Sequence, residues 1–122
     1  MNWTKPCGYA AAQKRVFHST ARARLRRLAA ELGLAPGSYD LRPNQSGIAV
    51  SGEITLHHEQ VYVQVIQSAM GRGLGVLIRT CRGRCDFTGG ANSFVPLALL
   101  DDVSALAARV RMIAPELRRA AA

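Results

Sequence analysis

Twelve consecutive residues, Cys81-Arg82-Gly83-Arg84-Cys85-Asp86-Phe87-Thr88-Gly89-Gly90-Ala91-Asn92, gather two thiols, two guanidiniums, a carboxylate, a hydroxyl and three glycines. Arg82 and Arg84 offer forked donors to a phosphate or carboxylate. A turn through Thr88, Gly89 and Gly90 would present backbone amides beside a hydroxyl, the arrangement that cradles an oxyanion. Asn92 would orient a ligand or cap that turn. The same residues also read as a plain connection, in which Asp86 pairs with Arg84 and the glycines only turn the chain, since glycine-rich loops occur in many unrelated places.

Other chemistries fit less well. Cys81 and Cys85 are spaced C-x-x-x-C, and with His57 and His58 they would complete the nitrogen and sulfur set that structural zinc prefers. The spacing is not that of a C-x-x-C knuckle, and neighbouring histidines on a strand point to opposite faces. No metal and no cofactor are therefore assigned. A cysteine nucleophile paired with His18, His57 or His58 needs no local motif, which leaves a cysteine- or histidine-dependent enzyme as a third reading. Met70-Gly71-Arg72-Gly73 reads as a mobile hairpin loop, and Gly71-Arg72-Gly73-Leu74-Gly75, with no following Lys-Ser/Thr and no helix to open, is a flexible turn and not a phosphate loop.

The elements that must position these groups follow from hydrophobic periodicity. Residues 1–9 lack it and form an extended lead-in, with Trp3 docking on the body. Phe17, Ala21, Leu25, Leu28 and Leu32 recur at spacings of four and three, one stripe of a helix over Ala10 to Leu32 that Gly33 stops. Arg15, Arg22 and Arg26 fall together on a flank of that helix. From Tyr39 the period is two: Tyr39 and Leu41 make a short edge strand, and Ile48, Val50, Ile54 and Leu56 share one parity while Ala49, Ser51, Glu53, Thr55 and His57 share the other. Such alternation gives a sheet one buried and one open face.

Pairing Leu56 with Val61 places Ile54 opposite Val63 and Glu53 opposite Gln64. The next hairpin sets Val76, Ile78 and Thr80 against Val65, Val63 and Val61, with Tyr62 opposite Arg79. After the glycine-rich stretch an apolar run, Phe94 to Leu100, leads to Asp101-Asp102. These carboxylates suit the start of a helix carrying Val103, Leu106, Val110, Ile113 and Leu117 on one face, which Pro115 ends or kinks. The expected fold is α+β: an N-terminal helix, a four-stranded antiparallel meander and a C-terminal helix, with both helices on one face of the sheet and residues 1–122 forming a single domain.

The chain has 122 residues, 48% hydrophobic and 20% charged, the balance of a folded globule. No apolar run approaches the roughly 20 residues of a membrane span, so no membrane partner is expected. Sixteen basic residues against eight acidic ones give a net charge of +8, which favours polyanionic partners. Fourteen of those sixteen are arginine and alanine is abundant, a bias that a GC-rich genome also produces. Three cysteines make no disulfide framework, and a reducing, cytoplasmic setting in a bacterium or phage is expected. The first 30 residues, basic and without a carboxylate, resemble an organellar transit peptide in composition.

Two surfaces compete for function. The anion reading uses Arg79, Arg82, Arg84, Thr88, Gly89, Gly90 and Asn92, with Tyr62 as a stacking platform for nucleic acid or a nucleotide. The other reading is a protein-interaction module, a homodimer or an inhibitor of the phage or mobile-element type, that covers a partner through the open sheet face.

Overall fold

The computed structural model describes residue 3 and residues 11–44, 50–68, 75–86 and 90–117. The lead-in other than Trp3, the Met70–Gly73 loop, and Thr88 with Gly89 lie outside the described residues. The element order is α1 (Ala11–Glu31), β1 (Tyr39–Asn44), β2 (Val50–His58), β3 (Val61–Ser68), β4 (Val76–Thr80), β5 (Ser93–Val95), a 3-10 turn (Leu97–Asp101) and α2 (Val103–Ile113).

The stripe of α1 does what its spacing dictates: Phe17, Ala21, Leu25, Leu28 and Leu32 are all buried. The helix stops because Gly33 adopts a left-handed φ of 73°, a conformation that costs glycine nothing. Leu34 N–H then donates to Ala29 O (2.9 Å) and Gly33 N–H to Ala30 O (3.1 Å). That pair is a Schellman motif, and Leu34, half-buried against the core, supplies its apolar contact. At the other end of the chain Asp102 caps α2, its carboxylate accepting from Ala105 N–H (3.2 Å). The helix ends at Ile113 because the residue before Pro115 is pushed out of helical geometry.

The sheet is antiparallel and runs β1-β2-β3-β4-β5 in chain order. Its fifth strand departs from the expected four: Ser93–Val95 pairs with β4 through Val76↔Val95, Leu77↔Phe94 and Ile78↔Ser93. Three residues show no alternation that the sequence could reveal. The β2–β3 register also differs from the expected one by two residues, with Leu56↔Val63 and His57↔Tyr62. Strand β2 continues to His58, which leaves a turn of only Glu59 and Gln60. A two-residue slip keeps every side chain on its face, so the apolar side is unchanged. Ile54, Leu56, Val61, Val63, Val65, Val76 and Ile78 form one cluster with the buried stripes of both α1 and α2. Both helices therefore cover the same face.

Trp3 belongs to this core. It is 3% exposed, meets Phe17 edge-on at 6.4 Å between ring centroids, and donates its indole N–H to Asp101 Oδ1 (3.0 Å). No helix among the described residues is long and apolar enough to cross a membrane.

Candidate functional site

The sheet register sorts the second face into rows. Asp40, His57, Tyr62 and Arg79 lie side by side across β1 to β4, and Arg42, Thr55, Gln64, Leu77 and Phe94 form the next row across all five strands. No helix packs here, yet on β2 this face is closed, with Thr55 5% and His57 0% exposed. The expectation of a wholly open face fails at these two residues and at Arg79 of β4, 8% exposed.

The cover over His57 is the stretch Cys81–Asp86, which leaves β4 and crosses the end of the sheet toward β1. Cys81 stays tied to the β2–β3 hairpin: its N–H donates to Gln60 O (3.0 Å) and its thiol to His58 O (3.1 Å). His57 then donates Nε2–H to Gly83 O (2.9 Å), and Arg42 donates Nη2–H to Arg84 O (2.9 Å). Arg84 completes the crossing, giving Nη2–H to Asp40 Oδ1 (2.6 Å), Nε–H to Asp40 Oδ2 (3.2 Å) and Nη1–H to Gly37 O (2.9 Å). Asp86 closes the bend locally by accepting from Arg82 N–H (2.9 Å).

His57 is held in one protonation state by its partners. A carbonyl only accepts, so Nε2 carries the hydrogen toward Gly83. A guanidinium only donates, so Nδ1 is the acceptor for Arg42 Nη1 (3.1 Å). The ring is thus neutral. Burial depresses its pKa below the ordinary histidine value, and the charges of Arg42 and Arg79 act in the same direction against the Gly83 hydrogen bond and Asp40. Asp40 stays ionised for the opposite reason: the Arg84 hydrogen bond, then that of Arg42, holds its carboxyl below the usual range.

The anion-binding residues are thus dispersed in role. Arg84 and Arg42 share the carboxylate of Asp40. Arg79 is 8% exposed and lies over Tyr62, its guanidinium carbon 4.1 Å from the ring centroid, while His57 meets the same ring edge-on at 5.0 Å. One face of Tyr62 is therefore occupied by a guanidinium. Arg82, Gly90 and Asn92 are exposed. A hollow of about 460 Å³ is lined by Thr80, Cys81, Arg82, Asp86 and Gly90, so Arg82 and Gly90 do meet at one place. Gly90 also packs closely, since a β-carbon there would lie 2.5 Å from Thr80 O.

The Cys81 thiol is not activated by a neighbouring imidazole. Burial raises the Cys81 pKa, and its sulfur faces the His58 backbone, not an imidazole. Cys85 is exposed and both are free thiols. Among the described residues no group of three or more His, Cys, Asp or Glu converges on a metal position. The residue that sequence reasoning misses is His57, the centre of the polar row. Its parity with Thr55 and Glu53 puts it on the second face, but nothing local announces the cover. Comparison of the chain with protein-family models, curated proteins and solved structures gave no match.

Proposed function

We propose that the protein is a non-enzymatic binding protein for an anionic ligand, with nucleic acid preferred to a nucleotide, and that the cations of α1 together with Arg82 carry it. The supporting observation is charge segregation. The guanidiniums of the sheet are matched inside the chain, by Asp40 for Arg42 and Arg84 and by the Tyr62 ring for Arg79. On α1, six basic residues stand with one carboxylate, Glu31, at the last position. Arg24 is matched by Asp101 at 3.3 Å, but it does not belong to the flank that carries Arg15, Arg22 and Arg26.

Arg15, Arg22 and Arg26 share that flank because they are seven and four residues apart, and at 1.5 Å per residue they span roughly 16 Å. A line of cations that long suits a polyanion better than a single phosphate. Binding of single-stranded and duplex oligonucleotides should weaken with salt. The triple variant Arg15→Ala/Arg22→Ala/Arg26→Ala should lower the slope of log K against log[salt] by about two to three, one for each phosphate no longer neutralised. Arg82→Ala should lower it by about one. Absent or salt-independent binding to DNA and RNA alike would sink the reading.

A second reading, a protein-interaction module using the sheet face, is favoured by Phe94, an aromatic ring 50% exposed beside the half-buried Leu77 of its row. If that face joins two copies, light scattering should report a dimer that Phe94→Asp disrupts. A monomer at high concentration counts against it.

A further inference from the structure

We propose that Cys81–Asp86 is a pH-sensitive strap, latched across the sheet end by neutral His57 and released when that imidazole takes a proton. This goes beyond ligand binding on α1 and rests on different atoms.

The latch is a hydrogen-bond relay with a fixed direction. Arg42 Nη1–H donates to His57 Nδ1 and His57 Nε2–H donates to Gly83 O, so the ring joins β1 to the strap only while Nδ1 has a free lone pair. Protonation converts Nδ1 to a donor that faces another donor at 3.1 Å. It also adds charge where cations already outnumber anions. Around the ring stand Arg42 and Asp40 from β1, Arg79 from β4, and Arg84 from the strap, while Tyr62 of β3 packs on its edge. Asp40 cannot rescue the imidazolium cheaply, because both its oxygens are already held by Arg42 and Arg84. With the ring 0% exposed, water does not solvate the new charge unless the strap lifts.

Lifting is local. Beyond the Cys81 thiol on His58 O at its first residue, the strap is held on the β1 and β2 side by the His57, Arg42 and Arg84 contacts, which cluster at and beside this row. None of its residues belongs to the apolar core. Release would therefore uncover Asp40, His57 and the Arg84 guanidinium without unfolding the sheet.

Amide hydrogen exchange of the full chain tests this, read at Asp86, whose N–H donates to Gly83 O, and normalised to core amides of β3. Because the latched ring resists a proton that an open histidine, with the reference pKa of about 6.5, takes up, the opening constant rises between pH 7.5 and 5, by about 30-fold at the limit of complete exclusion. Asp86 protection should fall toward that limit while β3 protection, corrected for global stability, does not. His57→Gln replaces the ring with an amide that still donates to Gly83 and accepts from Arg42 but does not titrate, and should flatten the response. A wild-type change below about threefold, or an equal change in His57→Gln, would overturn the proposal. Should His57→Gln not fold, the nitrogen shifts of wild-type His57 decide: an Nε2–H tautomer while the strap is protected, giving way to imidazolium only as Asp86 protection is lost, is expected, and an imidazolium with the strap still protected would overturn it.

Discussion

Gly90 reads in the sequence as part of an anion cradle, and the structure gives it a steric duty that can be measured. Its φ is 74°, where a side chain costs about 1–2 kcal/mol. A β-carbon there would sit 2.5 Å from Thr80 O, 2.7 Å from Thr80 Oγ1 and 3.1 Å from Thr80 N. Two of those three atoms are backbone, in a strand paired to β3 and followed by the strap, so relief requires β4 to move, at about 1–3 kcal/mol for overpacking of this kind. Gly90→Ala should therefore cost about 2–5 kcal/mol. With about 2.1 cal/mol/K of unfolding entropy per residue, a chain of 122 residues loses roughly 4 °C of Tm per kcal/mol, hence about 8–20 °C. Gly37→Ala is the matched control: its φ is 85° with nothing within 4 Å of the added carbon, so only the conformational cost of about 1–2 kcal/mol applies. Thermal unfolding of both variants separates the two costs. Equal shifts in the two would refute the close-packing argument. A loss of anion affinity in Gly90→Ala, without the larger Tm drop, would return the residue to a ligand-binding role.

Stability should fall on mild acidification, because burial depresses the pKa of His57, His58 and His18 alike. Below about 6.5 the unfolded chain binds protons that the folded one refuses. The unfolding free energy from urea titration should drop from pH 7.5 to 5, by at most about 1.4 kcal/mol per pH unit for each excluded proton, and a value that stays level or rises contradicts the assignment. Asp40 adds to the loss only at lower pH, as its depressed carboxyl pKa is approached. Alkylation followed by mass spectrometry should label Cys85 well before Cys81, because Cys85 is exposed while Cys81 is half-buried with its thiol on His58 O. Equal labelling rates at pH 7.5 would mean that the strap is not docked as described.

What the sequence made legible was periodic, and what it hid was long-range. The stripes of Phe17 to Leu32 and Val103 to Val110 and the alternation of β3 needed only counting, and they place both helices on the apolar side. The β2–β3 register slipped by two residues because alternation repeats every two, and Glu59-Gln60 carries none of the Asn-Gly or Asp-Gly signal of a tight hairpin. Strand β5 exists because Gly90 lets the chain return against Thr80, a contact that no window of three residues contains. The burial of His57 depends on Gly83, 26 positions away, and the neutralisation of Arg84 on Asp40, 44 positions away.

These distant pairings redirect the functional argument. A guanidinium is a useful anion receptor only if its charge is not already spent and its donors are not already placed. Arg84 has all three of its donor nitrogens on Asp40 and Gly37, and Arg79 is largely buried on Tyr62. A phosphate arriving at the sheet would have to lift Arg79 off Tyr62 or displace Arg84 from Asp40, and the second would expose the Asp40 carboxylate to that same phosphate. Arg15 and Arg26 of α1, both exposed, and the half-buried Arg22 between them carry no such penalty. Anion affinity should therefore survive Arg79→Met, which keeps the packing stem and removes the charge, and fall when the α1 line is neutralised. The reverse pattern, read by oligonucleotide titration at one fixed salt concentration, would move the site back to the sheet.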